Sequence, residues 1–98
     1  LAEQEIIHEK KLLEKFFLML GKEREKTAYG KEDVDKAINF GAADVILLSK
    51  KLSKSEIKEY ENKAETISST VKLVSTDTDE GKQFWNLGGI GAILRFRI

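Results

Sequence analysis

The chain contains no cysteine, no proline and only one histidine, His8, in 98 residues. Without cysteine there is neither a disulfide framework nor a thiolate metal site, and a reducing, cytoplasmic location is the expectation. Without proline, no helix is broken from within and no strand loses a donor. His8 has no serine or cysteine nucleophile with a sequence-visible partner role, and a general base also needs an orienting group and a pocket. No two groups pair as acid and base, so catalysis, a cofactor and a metal are not expected. A surplus of one charge is missing too: 17 basic and 17 acidic residues cancel. That argues against a domain gripping nucleic acid through its own field. Apolar runs such as Val45–Leu48 are far too short to cross a bilayer.

What is present describes a globular domain. Apolar residues make up 41% and charged residues 35%, and a chain of this length buries roughly 60–65% of its unfolded surface in one core. We therefore take residues 1–98 as a single domain. Lysines and glutamates alternate locally: Lys10, Lys11 and Lys15 stand among Glu9 and Glu14. Such pairs suit exposed helix faces. The sequence opens at Leu1 already within a helical pattern, and the expectation is a fragment of a longer protein.

Periodicity divides the chain. From about Ala2 to Leu20, residues Ile6, Leu13, Phe16, Phe17 and Leu20 share one helical face, and Gly21 is the expected stop. Thr27–Tyr29 forms a short strand. A second helix runs from about Lys31 to Phe40, with Glu32 and Asp33 in its first turn and Val34, Ala37 and Ile38 on its apolar side, ending at Gly41. Asp44–Ser49 is short and continuously apolar, as in a strand covered on both faces. Ser53 or Ser55 caps a helix carrying Ile57, Tyr60, Ala64 and Ile67, and Val71–Ser75 gives a second buried strand. Asp77–Asp79 supplies caps for a helix reaching about Leu87, and Ile90–Ile98 reads as a long final strand. Alternating helices and strands imply a three-layer α/β/α sandwich around a small sheet.

Several stretches carry a resemblance. Glu9–Phe17, Tyr29–Val34, Ala37–Ala42, Val45–Ser49 and above all Leu87-Gly88-Gly89-Ile90-Gly91-Ala92-Ile93-Leu94-Arg95-Phe96 resemble the C-terminal domain shared by archaeal and eukaryotic class-1 peptide chain release factors and Pelota. The resemblance implies a sandwich with a mixed sheet, related to kink-turn-binding ribosomal proteins. It also implies docking to an elongation-factor-type translational GTPase and to the ABC-type ATPase that splits ribosomes, with the ribosome engaged through the full-length factor. Release factors use a Gly-Gly-Gln loop in another domain, and no such triplet occurs here. They also usually insert a subdomain after the strand equivalent to Val45–Ser49. The short path from Ser49 to Val71, and the ending Leu94-Arg95-Phe96, favour Pelota. Glu9–Leu12 and Gly81–Phe84 look more like release factors, and that alternative stays open.

Specific residues then divide by role. The related RNA binders begin a helix with Asn-Glu followed by lysine. Here Lys36 fits, but Glu32 replaces the asparagine, and a carboxylate offers no donor and repels phosphate. No specific kink-turn RNA binding is expected. Gly88-Gly89-Ile90-Gly91 passes from helix to strand, the reverse of a phosphate cradle. It is expected to stop the helix, with Gly91 permitting close packing. Asp77, Asp79 and Glu80 are too few for a calcium loop and suit helix capping. Of the adjacent Phe84 and Trp85, one is expected in the core and the other partly exposed, as a contact anchor. Arg95 and Arg97 alternate with apolar residues and are expected to share one face of the last strand. Trp85, Arg95 and Arg97 are the candidate partner-binding residues.

Overall fold

The computed structural model describes residues 2–96, with side-chain surroundings from residue 10 onward. Four strands, β1 (Thr27–Tyr29), β2 (Ala43–Ser49), β3 (Thr70–Val74) and β4 (Ile90–Leu94), form one sheet in the order β1-β4-β2-β3. β4 runs antiparallel to both neighbours, and β2 and β3 are parallel. Among these elements lie helices α1 (Ala2–Lys22), α2 (Lys31–Asn39), α3 (Lys54–Thr66) and α4 (Asp79–Asn86).

Val45–Leu48 of β2 and Ile90–Leu94 of β4 are apolar because both faces of these central strands are covered. Ile46 and Leu48 of β2 pack with Val34, Ala37 and Ile38 of α2 and with Tyr60 and Ala64 of α3. Leu47 faces the other way, with Leu13 and Phe16 of α1, Phe84 of α4 and Ile93 of β4. The result is the three-layer α/β/α sandwich expected from the sequence. Gly91 sits where the second layer comes closest. A Cβ there would lie 2.8 Å from the Phe16 ring and 2.9 Å from Phe84. Those two rings meet edge to face at 5.7 Å, a favourable aromatic geometry.

Three helices end in one device, in which a left-handed residue lets two amides turn back onto the last carbonyls. After α2, Gly41 takes φ 67° and Ala42 N–H donates to Ala37 O at 2.9 Å. After α4, Gly88 takes φ 118° and Gly89 N–H donates to Phe84 O at 3.1 Å. After α3 the same position is Ser68, with φ 56°, and Ser69 N–H donates to Ala64 O at 2.8 Å. The caps at the other ends are Ser53 Oγ, accepting from Glu56 N–H at 3.2 Å, and Thr78 Oγ1, accepting from Gly81 N–H at 3.0 Å.

β3, expected to be buried, is an edge strand in which only Val74 is fully buried, and two boundaries differ from expectation by more than one residue. Gly21 does not stop α1: Glu23 N–H still donates to Met19 O at 2.6 Å, so the ladder runs through the glycine to Lys22. The last strand ends at Leu94, not Ile98, because the partners of β4 end there, at Thr27 of β1 and Ala43 of β2. Beyond it, among the described residues, one further backbone bond runs from Arg95 N–H to Ala42 O. Ile6 and His8 lie on α1, where side chains fall outside the described residues, as does Arg97.

Candidate docking surface

The site begins with a buried serine. Ser49 closes β2, and its N–H donates to Gly89 O at 2.8 Å, tying the end of β2 to the turn before β4. Its Oγ accepts from Lys51 N–H at 3.2 Å, and Lys50 N–H donates to Val74 O at 2.8 Å. The Lys50–Lys51 turn is thereby pinned over the strand ends. Gly89, with φ 75°, lies against the Trp85 indole so closely that a Cβ would stand 2.7 Å from its ring. The Lys51 ammonium sits over the same ring, 5.9 Å from its centroid, within cation–π range.

Phe84 and Trp85 divide as expected: Phe84 is fully buried and Trp85 is 36% exposed. The indole borders an open pocket of about 320 Å³ whose other walls are Lys51, Thr76, Lys82 and Asn86. The exposure of one of this aromatic pair was legible, but the companions of Trp85 were not. Lys51 and Thr76 come from turns whose approach depends on the parallel pairing of β2 and β3, and nothing in their local pattern announces it.

Arg95 is not in this neighbourhood. β4 starts at the Trp85 end of the sheet and carries the chain about 17 Å, the length of a five-residue strand, before Arg95 follows. There the guanidinium donates to Ile67 O at 3.1 Å and Ser68 O at 2.9 Å, and lies 3.6 Å from the Asp44 carboxylate. Asp44 projects from an irregularity in the β2–β4 register. Arg95 thus closes the C-terminus of α3, where a cation opposes the helix dipole. Arg95 lies beyond the last strand, and Arg97, with which it was expected to share a strand face, is outside the described residues. Beside Arg95, Phe96 is 48% exposed, and Phe40, two residues before the Ala42 carbonyl that accepts the Arg95 amide, is 59% exposed. The sequence offered a signal for Phe40: it is out of phase with Val34, Ala37 and Ile38.

The remaining candidates resolve locally. Asp79 and Glu80 occupy the first turn of α4 behind the Thr78 cap, a favourable place for negative charge. Among the described residues no three His, Cys, Asp or Glu side chains gather as a metal site would need. Glu32 and Lys36 are both exposed on α2. No described helix is long and apolar enough to cross a membrane. On the α2–α3 side, Lys63 bridges Asp35 at 3.4 Å and Glu59 at 3.7 Å, above the Tyr60 ring. The Tyr60 hydroxyl is buried near Asp35 yet finds no aligned hydrogen-bond partner. Burial first, then the Asp35 carboxylate, push its pKa well above the ordinary phenol value.

The family model described as eRF1 domain 3 matches residues 6–98. The chain belongs to the eRF1 domain 3 family. Among its relatives, a protein pelota homolog of Pyrococcus abyssi is 38% identical over 101 residues, covering 99% of this chain and 28% of the relative. Peptide chain release factor subunit 1 of the same organism is 30% identical, but over 145 residues, covering all of this chain and 35% of the relative. This eRF1 domain 3 therefore spans little more than a quarter of the Pelota relatives it matches. Solved structures agree. The C-terminal domain of the Methanosarcina mazei peptide chain release factor is 25% identical with a TM-score of 0.89, covering 97% of this chain and 86% of that one. Saccharomyces cerevisiae Dom34, described as a translation termination-like factor in RNA quality control that interacts with Hbs1, is 28% identical with a TM-score of 0.82, covering 93% of this chain and 27% of that one. Archaeal Pelota in a ribosome-bound model with ABCE1 is 28% identical with a TM-score of 0.71, covering 99% of this chain and 27% of that one. These relatives are translation factors, and the mixed four-stranded sheet with its helices is the fold they share with this chain.

Proposed function

We propose that residues 1–98 are the C-terminal docking domain of an archaeal Pelota-like factor, acting in the cytoplasm in mRNA surveillance and rescue of stalled ribosomes. The domain binds an elongation-factor-type GTPase that delivers the factor and the ABC-type ATPase that then separates the subunits, and it makes or breaks no covalent bond itself. The rest of the factor meets the ribosome while this sandwich holds it in position. Dom34's interaction with Hbs1 and the archaeal Pelota–ABCE1 pair on the ribosome support those partners. Trp85, half-exposed beside a pocket, is the anchor best placed for such contact. A second docking element is Arg95, at the opposite end of the sheet with its guanidinium shared with α3, together with Arg97.

One observation carries the choice of Pelota. The 98 residues here align with 101 of the Pelota homolog but need 145 of the release factor from the same organism. A release factor of this type brings additional chain that this domain lacks. The equivalent domain of a class-1 release factor, acting in termination, is the second reading, supported by the closeness of the M. mazei structure. The reading frame upstream of Leu1 separates the two, since a Gly-Gly-Gln loop there would establish the release factor and overturn Pelota. For docking, the purified domain is titrated with an archaeal GTPase of the elongation-factor type and with the ATPase. Trp85→Ala should weaken one of them at least about tenfold, the effect of losing a central aromatic anchor. Glutamate at Arg95 and Arg97 should weaken association in variants still folded by circular dichroism. Unchanged affinity in all variants would remove these residues from the interface. A kink-turn RNA duplex should give no specific complex.

A further inference from the structure

We propose that the pocket beside Trp85 reads a carboxylate: it receives an aspartate or glutamate side chain, flanked by an apolar residue, from a loop of a partner protein. This rests on the docking function above and adds the chemistry of one contact. Of the five walls, Lys51 and Lys82 are cationic, Thr76 and Asn86 are neutral hydrogen-bonding groups and Trp85 is mainly apolar. Among the described residues, no carboxylate lines the space. A pocket with two ammonium groups and no countercharge of its own is complementary to an anion, and the indole edge supplies the apolar surface that a neighbouring aliphatic residue would cover. The volume, about 320 Å³, lies at the small end of pockets that hold discrete ligands.

The site is also held in place before anything binds. Lys51 is fixed through its amide to the buried Ser49 hydroxyl, and the indole rests against Gly89, which in turn accepts from Ser49 N–H. Ordering the backbone around the pocket therefore adds little to the free energy lost on binding.

A protein carboxylate fits better than the phosphate chain of RNA for two reasons. The Lys51 ammonium stands over the Trp85 ring, so a base would have to displace it to stack on that face. In addition Asp77, Asp79 and Glu80 follow Thr76 and precede Lys82 in the chain. A backbone with a charge on every nucleotide would run onto these acids, whereas a single carboxylate stops within the pocket.

The test is nuclear magnetic resonance of the labelled 98-residue chain with three probes. These are the blocked pentapeptide Gly-Leu-Asp-Leu-Gly, its Asn counterpart, and a single-stranded oligouridylate. The aspartyl peptide should shift the Trp85 indole N–H and the Lys51 and Lys82 side-chain signals, with the Asn peptide at least about tenfold weaker, as expected when a charge pair is removed. Lys51→Gln and Lys82→Gln should each weaken the aspartyl peptide about threefold or more. Lys82→Glu should favour a peptide with lysine in place of aspartate. Equal binding of the Asp and Asn peptides, or no shift of these signals with any peptide, would overturn the proposal. Oligouridylate binding at these signals more tightly than the aspartyl peptide would overturn it in favour of RNA. The intact GTPase and ATPase serve as the independent arm. If either binds the domain while the aspartyl peptide fails, the carboxylate pocket falls and docking stands. If neither binds, docking falls whatever the peptides do.

Discussion

Ser68 is the one described non-glycine residue at positive φ, and it stands where the C-terminal turn of α3 needs a left-handed conformation. An L-residue there is strained by roughly 1–2 kcal/mol, and α2 and α4 meet the same demand with Gly41 and Gly88. The Ser68 N–H donates to Glu65 O and its carbonyl accepts from Arg95, both backbone contacts that glycine would keep. Ser68→Gly should therefore stabilise the domain by about 0.5–1 kcal/mol after the extra entropy of the unfolded glycine is subtracted. The check is a higher urea midpoint at unchanged slope. Tyr60 poses the opposite case, a buried hydroxyl without an aligned partner. Tyr60→Phe should change stability at neutral pH by less than about 1 kcal/mol, because no well-formed hydrogen bond is lost. The two proteins should diverge at high pH. Folding raises the phenol pKa, so the native state keeps a proton that the unfolded chain releases near pH 10. The stabilisation is complete below that value and is lost as pH rises above it, by about 1.4 kcal/mol per pH unit. Denaturant titrations from pH 8 to pH 11 should show the wild type falling relative to the variant. Parallel curves would mean that Tyr60 titrates normally.

At the scale of elements, Arg95 joins three of them: it follows β4, caps α3 and reaches Asp44 on β2. Arg95→Ala should cost about 1–2 kcal/mol, the range for a charged donor at a helix C-terminus. Arg95→Lys should recover only part, since a single ammonium cannot reproduce a guanidinium whose Nη2 serves two carbonyls while its Nε lies toward Asp44. Equal midpoints for Arg95→Ala and wild type in thermal unfolding would show that these contacts contribute nothing. This residue also marks where the sequence stopped being legible. Alternation of Leu94, Arg95, Phe96 and Arg97 continues a strand pattern beyond the point where β1 and β2 offer partners, and strand length is set by neighbours as much as by local pattern. The helices were easier to read, because apolar spacing and caps lie within each segment. Gly41 announced a helix end through its own chemistry, as did the pairs Ser53/Ser55 and Gly88/Gly89, of which Ser53 and Gly88 hold the positions. Gly21 did not behave so, since nothing after it turned the chain until Glu23, and the hydrogen-bond ladder passed through it. That one of Phe84 and Trp85 would be exposed followed from their adjacency on α4, whereas Lys51 and Thr76 reach Trp85 only through the order of the sheet, which no local signal specifies.

For the whole molecule, the decisive feature is that one sheet separates two apolar clusters while its central strands feed both. Along β2, Ile46 and Leu48 serve the α2–α3 side, and Leu47 serves the α1–α4 side. β4 does likewise, with Ala92 on one side and Ile93 on the other. Neither layer can lose its packing without loosening strands on which the other depends. The domain should therefore unfold as a unit, as small single domains usually do. Phe84→Ala and Ile46→Ala test this from opposite sides. Both side chains are fully buried, and truncation should cost about 3–5 kcal/mol for the phenylalanine and about 2–5 kcal/mol for the isoleucine. Each variant should show one transition, with tryptophan fluorescence, which reports from α4, and far-ultraviolet circular dichroism, which reports the whole backbone, coinciding at a lowered midpoint. If Phe84→Ala shifted the fluorescence midpoint and left the dichroism midpoint in place, the α1–α4 layer would be a separate unit. A docking surface built on α4 would then open without unfolding the sheet, whereas coincident transitions tie the integrity of the Trp85 pocket to that of the entire sandwich.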